Sequence, residues 1–423
     1  MMGPAMTGPD ARGPLESGSV VVTGIGTVSP HGLAVEDFWS ATCRGTNGIR
    51  RITSFDPAQY PAQLAGEIHG FDPRDHLPSR LIPATDRMTQ LALVASEQAL
   101  ADAGLQPGDL PALDMGVVTA SSCGGFAFGE RELRNLWSRG GQYVSAYQSY
   151  AWFYAVNTGQ ISIRHDLRGP SGVVVSDQAG GLDAVAQARR QIRRGARLIV
   201  SGGVDASICP WGWVGHLAGK RLSTVIEPDR AYLPFDRRAS GHVPGEGGAL
   251  LVLEDAATAL RRGAPRIYGT IAGYAATFDP RPGSGRPPGL ARAIELALAD
   301  GGLAPRDVDV VFADAAGILE LDRAEASAIT QLFGRAGVPV TAPKTMTGRL
   351  CSGAGPLDLV AALLAIRDGM IPPTTNVSPD PGYEIDLVTA PRPARVGVAL
   401  VLARGYGGFN SAVVVRAPGR PSA

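Results

Sequence analysis

A layered α/β fold written twice along one chain is what the sequence predicts, on three observations. Short apolar runs rich in β-branched residues alternate with helical patterns over most of the 423 residues, as strands buried between helices require. The stretch Ala99 to Asp109 (ALADAGLQPGD) recurs at Ala297 to Asp307 (ALADGGLAPRD) with eight of eleven positions identical, and each copy ends a helical pattern and leads into an apolar run. A weaker echo follows in the same order in both halves, Leu182 to Ala186 (LDAVA) against Leu357 to Ala361 (LDLVA), each opening a helix after a glycine-rich turn. Two echoes in series point to a duplication. One half is expected over residues 19–264 and the other over 265–418, behind a Gly/Pro-rich extension, 1–18, expected to be disordered.

Taken in order, the strands expected are Val20 to Val22, Met115 to Ser121, Val173 to Val175, Leu198 to Val200, Ala249 to Leu253, Val308 to Ala315 and Val396 to Leu402. The helices expected are Asp86 to Ala103, Ala179 to Arg194, Leu290 to Asp300 and Leu357 to Asp368. Gly104, Gly195, Gly301 and Gly369 are placed to stop them in a left-handed C-cap. Residues 124–168 read as loop-rich and concentrate aromatic side chains between Phe126 and Tyr154, which predicts an interface or the wall of an apolar pocket.

Composition narrows the function classes. Lys+Arg and Asp+Glu number 39 each, so the formal net charge is zero. This argues against nucleic acid or an anionic membrane as partner, since both select a basic excess. Charged residues make up 18%, below the roughly 25% of an average soluble chain, which predicts surface hidden in an oligomer. Cys43, Cys123, Cys209 and Cys351 are far apart in sequence with no CxxC, so neither a zinc site nor a disulfide framework is expected, and a reducing cytoplasm fits. No apolar run reaches the roughly 18 residues that span a bilayer.

The common catalytic motifs are missing. Thr23-Gly24-Ile25-Gly26 follows a strand but lacks the third glycine of a dinucleotide fingerprint, so it reads as a plain tight turn. There is no GxSxG, HExxH or SxxK, and the six histidines have no ligand spacing. Neither metal nor cofactor is expected.

The stretch Val174 to Asp183 (VVSDQAGGLD) reads as a strand, a sharp turn and a helix. That geometry presents one side chain at a helix N-terminus, where the dipole favours a thiolate or an anion. Here the sequence resembles the β-ketoacyl synthases of the thiolase fold. The resemblance runs from about Val20 to Val415 through Val22-Thr23-Gly24-Ile25-Gly26, Pro234-Phe235-Asp236, Pro244-Gly245-Glu246-Gly247, Pro343-Lys344-Thr345 and Tyr406-Gly407-Gly408-Phe409-Asn410-Ser411. It implies a duplicated five-layer αβαβα architecture. It also implies a catalytic cysteine and two histidines, which hold the acyl chain, assist decarboxylation and stabilise the thioester oxyanion.

All three of those positions are altered. Gln178 stands where the cysteine is expected, Ala316 where the histidine of a His-Gly-Thr motif is expected, and Arg349 where the histidine of Lys-x-x-x-Gly-His is expected, with Lys344 retained. An amide, a methyl group and a permanently protonated guanidinium offer neither nucleophile nor base. The pattern resembles the chain length factor, the ketosynthase β subunit of bacterial type II aromatic polyketide synthases. That resemblance implies a heterodimer with a catalytic ketosynthase, an acyl carrier protein as the carrier of substrate, and no condensation by this chain alone. It places a length-setting tunnel wall at Phe126, Gly129 and Leu133, with Trp211 and Trp213 as further candidates. The small Gly129 and medium Leu133 imply a chain longer than an octaketide, a decaketide or above. For Gln178 three roles stay open: an amide capping the helix N-terminus, a donor assisting malonyl decarboxylation, or no functional constraint. The rival is a self-sufficient thiolase-fold acyltransferase using Cys123 or Cys351.

Overall fold

The computed structural model describes residues 18–419 other than Pro107 and Pro282, so the expected disordered extension lies, Gly18 apart, outside the described residues. Five strands of the first half, β1 (Val20–Val28), β2 (Met115–Ala120), β3 (Ser171–Val174), β4 (Leu198–Asp205) and β5 (Gly247–Asp255), lie side by side in the order β3-β2-β4-β5-β1. The second half repeats that order. Its strands β6 (Gly269–Phe278), β7 (Val310–Phe312), β8 (Pro339–Thr341), β9 (Val398–Arg404) and β10 (Phe409–Arg416) run β8-β7-β9-β10-β6.

Strand directions repeat as well. β2 is parallel to β3 and β4, while β5 is antiparallel to β4 and β1. Likewise β7 is parallel to β8 and β9, and β10 is antiparallel to β9 and β6. The duplication glimpsed in an eleven-residue echo is thus written into the topology of both leaves. They are stitched edge to edge where β1 meets β6, Val21 opposite Thr270 and Val22 opposite Gly269.

Helices complete five layers. α1 (Arg87–Asp102), α2 (Phe126–Arg139), α3 (Val156–His165), α4 (Gly180–Arg193) and α5 (Pro210–Ala218) belong to the first half, and α6 (Leu290–Asp300), α7 (Leu319–Phe333) and α8 (Ala354–Asp368) to the second. The two helices that carry the second echo, α4 and α8, share one apolar cluster with the inner faces of both leaves. α8 is buried at every residue from Ala354 to Ala365, and that stretch is accordingly apolar all round apart from Asp358, whose charge is paired with Lys344. Outside, α1 and α3 cover the first leaf and α6 and α7 the second.

Some expectations are corrected. Thr23 to Gly26 is not a turn but the middle of β1. A Cβ on Gly24 or Gly26 would stand 2.1 Å from the Ala99 carbonyl oxygen or 2.0 Å from that of Ala95, so these glycines let α1 lie directly on the strand, and no phosphate loop exists there. The segment 124–168 is not mainly loop, since it folds α2 and α3. The run Val308 to Ala315 gives only the three-residue β7. Gly301 is right-handed at φ −88°, and the left-handed residue is Gly302 at φ 64°.

Candidate functional site

The strand, turn and helix expected around Gln178 are present. β3 ends at Val174 and a short turn, Asp177–Ala179, delivers Gln178 to the head of α4. Asp177 is held left-handed at φ 53°, with its carboxylate accepting from the Tyr406 N–H at 2.6 Å. The Ser176 hydroxyl donates to Asp183 at 2.5 Å and braces the turn against α4. Ala315, next to Ala316, and Cys351, two residues beyond Arg349, are also left-handed at φ 51° each. Such conformations persist only where surrounding contacts enforce them, and they concentrate at functional sites.

Gln178 is 8% exposed, and among the described residues its Oε1 has no hydrogen-bond partner. The capping role expected of its carboxamide is therefore not what the geometry displays. Arg349 is fully engaged instead. Its guanidinium pairs with the Asp314 carboxylate at 2.9 Å and donates to the backbone oxygens of Asp314 at 2.7 Å and Arg404 at 3.3 Å. Burial pushes the Asp314 carboxyl up, but Arg349 and then Lys344 outweigh it and hold it below the usual range. Lys344 pairs with Asp358 at 2.6 Å and donates to the Ala313 carbonyl. Ala316 adds no polar group. A buried guanidinium committed to a carboxylate and to three carbonyls, those of Asp314, Arg404 and, at 3.4 Å, Ala315, has no proton to exchange.

The three altered positions are neighbours in space. Gln178 and Arg349 line one cavity of about 490 Å³, and Arg349 and Ala316 line an adjoining one of about 410 Å³. His216 and His242 face the first cavity and His242 reaches the second. Sequence spacing gave no reason to group these histidines, because α5 and the loop before β5 bring them in separately. Both are held neutral. Burial lowers His242 well below its ordinary value, with Arg349 adding to the effect, and burial lowers His216 to about 4.

The His216 shift has a pH consequence. Below pH 6.5 the unfolded chain takes up a proton at this residue that the folded chain refuses until about pH 4, so stability falls across that window. Relative to His216→Gln, wild type should lose roughly 3 kcal/mol between pH 7 and pH 4. Denaturation curves of the two proteins that stay parallel over this range would contradict it.

The tunnel-wall candidates gather on α2 and α5. Asp86 caps its own helix α1 through the Met88 N–H at 2.8 Å and also accepts from the Phe128 N–H of α2 at 2.7 Å. Burial raises this carboxyl to about 6. Glu130 accepts from the Trp211 N–H at 3.0 Å, and the Phe126 and Trp211 rings stack at 4.9 Å. A Cβ on Gly129 would stand 2.8 Å from Trp211 Cζ3. Leu133 and Trp211 are 37% and 43% exposed, and Trp137 beyond them 82%. Trp213 does not join this surface. It is fully buried, with its indole N–H on the Ala62 carbonyl at 3.0 Å, because successive α5 residues point to different faces.

Cys123 and Cys351, distant in sequence, meet here with sulfurs 3.7 Å apart. The Cys351 thiol is pushed well up, first by its hydrogen bond with Cys123 and then by burial, which is the reverse of an activated nucleophile. Among the described residues no helix is long and apolar enough to cross a membrane.

Comparison with known proteins agrees with this geometry. The β-ketoacyl synthase N-terminal domain matches residues 17–259 and its C-terminal domain residues 268–378. The actinorhodin polyketide β-ketoacyl synthase 2 of Streptomyces coelicolor is 60% identical over 94% of this chain and 98% of its own. The tetracenomycin polyketide synthase ketoacyl synthase beta subunit of Streptomyces glaucescens is 58% identical over 95% and 98%. Among solved structures, the ishigamide ketosynthase/chain length factor superposes with TM-score 0.85 at 28% identity over 95% of this chain and all of that one. A type II polyketide synthase acyl carrier protein in complex with its ketosynthase bound to the hexaketide gives 0.84 at 26% identity, again over 95% of this chain and all of that one.

Proposed function

Because the chain belongs to the β-ketoacyl synthase family, and within it to the β subunits or chain length factors of type II polyketide synthases, we propose the following role. It is the non-condensing half of a ketosynthase heterodimer, which elongates a poly-β-ketone on an acyl carrier protein in the cytoplasm. The observation that carries this reading is the Gln178 turn. Its backbone keeps the shape that would present a nucleophile, yet it delivers an amide, beside an arginine locked onto Asp314. Condensation then belongs to the partner, and what this chain contributes is shape.

A poly-β-ketone reacts with water and with itself, so a closed apolar tunnel both protects it and limits its length. Phe126, Gly129, Leu133 and Trp211 are the residues proposed to line that tunnel, with a decaketide or longer product. The exposed apolar side chains around them match what an interface core needs. Co-expression with a catalytic ketosynthase and its carrier protein tests the role. A product of defined length is expected only when this chain is present, and replacing it by a β subunit of another product class should change that length. Acylation of this chain by itself, mapped to Cys123 or Cys351, would favour the acyltransferase rival.

The unpartnered amide oxygen of Gln178 favours a second activity, priming. With its amide rotated, the side chain could donate to a malonyl thioester carbonyl as carbon dioxide leaves and the enolate takes up a proton to give the acetyl starter. Gln178→Ala should then reduce acetyl-primed product at least tenfold while supplied acetyl carrier protein restores it. Unchanged priming would leave the amide without that role.

A further inference from the structure

The cavity beside Gln178 contains a pair of thiols that the proposed function does not use. Cys123 lies in the loop between β2 and α2, and Cys351 opens the short turn Cys351–Gly353 ahead of α8. They come from opposite halves of the chain, 228 residues apart, with sulfurs at 3.7 Å. What holds them there is Asp205 at the end of β4. Its carboxylate accepts from the Ser121 hydroxyl at 2.9 Å, the Ser122 N–H at 3.0 Å and the Cys123 N–H at 3.4 Å in the first loop. From the second loop it accepts the Ser352 N–H at 2.9 Å and the Ser352 hydroxyl at 2.6 Å.

Two chemistries fit a Cys, Asp, Cys cluster whose ligand atoms lie within 4.8 Å of one another. A metal ion needs free lone pairs on the carboxylate, and here both oxygens are already taken by donors from the two loops. That leaves the sulfurs. They need only close from 3.7 Å to the roughly 2.05 Å of a disulfide bond, while Asp205 keeps both loops in register. Both thiols line the cavity, with Cys123 the more exposed, so a small reagent meets Cys123 first.

We infer that Cys123 and Cys351 form a reversible redox pair, oxidised by a low-molecular-weight disulfide. The Cys123 thiolate attacks one sulfur of RSSR and expels RS⁻, giving a mixed disulfide. Forming the mixed disulfide removes the Cys123 hydrogen bond that chiefly raises the Cys351 thiol, and Cys351, giving up its proton, then attacks Cys123 Sγ, expelling the second RS⁻. Two cysteine thiols lose two electrons and two protons, and one RSSR becomes two RSH. The bond ties the loop that leads into Phe126 to the head of α8 and so fixes one end of α2. The inference does not depend on the polyketide reading, since its product is a crosslink within this chain.

The test is to expose the complex with its catalytic partner to oxidised glutathione, alkylate remaining thiols after denaturation, and map peptides by mass spectrometry. A Cys123 to Cys351 linked peptide that disappears with reductant is expected, while Cys43 and Cys209 stay alkylated. In Cys351→Ser, glutathione should remain on Cys123, because the resolving thiol is gone. Alkylation of Cys123 and Cys351 after oxidation at the level of the untreated complex would overturn the inference. Protection of both thiols by zinc(II) ions with no linked peptide would overturn it too, in favour of a metal site.

Discussion

Gly129→Phe in the assembled synthase should shorten the polyketide by at least one two-carbon unit while leaving turnover within a fewfold of wild type. The reason is local. Even a single Cβ at this position would come within 2.8 Å of Trp211 Cζ3, closer than van der Waals contact permits, so a benzyl group must displace the indole or occupy the space in front of it. Trp211 is 43% exposed and can swing, whereas its backbone is fixed by the Glu130 carboxylate at 3.0 Å. Either way the proposed tunnel loses depth and the partner's chemistry is untouched. Trp211→Ala should act in the opposite direction, and the double variant should fall between the two single ones, because the two side chains compete for one volume. Product mass reads the result directly. A Gly129→Phe complex that still makes the wild-type length would remove this wall from the length-setting role.

Arg349→Ala should cost the protein about 3 to 5 kcal/mol of stability, as breaking a buried pair by removing one partner does. Arg349 and Asp314 are 5% and 4% exposed at their side chains, so loss of the guanidinium leaves a carboxylate in low dielectric with its nearest countercharge gone. The carbonyls of Asp314 and Arg404 also lose a donor. Adding Asp314→Asn should recover part of the loss, because the uncompensated charge goes with it. Urea denaturation of the three variants measures this. A loss below about 1 kcal/mol for Arg349→Ala would mean that the pair is solvated and replaceable. The same contacts predict that Gln178→Cys by itself gives no condensing activity, since neither Arg349 nor Ala316 can replace the two histidines.

Much of this was legible beforehand, and the reasons differ by level. The duplication could be read because two helices packed between the same two leaves keep similar apolar patterns, LDAVA and LDLVA. The altered chemistry could be read because each lost residue sits in a motif whose neighbours remain, as Lys344 does five residues before Arg349. The Gly24 and Gly26 positions misled because a glycine needed for a helix lying on a strand looks, in sequence, like a glycine needed for a turn. Trp213 misled because Trp211 stands two residues away on the same helix and only one of them faces outward. His216 and His242 could not be grouped from sequence, since a helix and a loop 26 residues apart bring them to one cavity, and the Cys123 to Cys351 contact could not be read because nothing local in the chain encodes a meeting between loops of opposite halves.

Asp86 receives amides from two helices at once, its own and the proposed tunnel helix. It stands at the N-cap of α1, whose inner face is pressed against β1 closely enough to demand glycine. The zero mark of the proposed length gauge is therefore set inside this chain's own core and not by the surface it shares with a partner. Catalytic subunits could be exchanged beneath it and the scale would travel with this subunit.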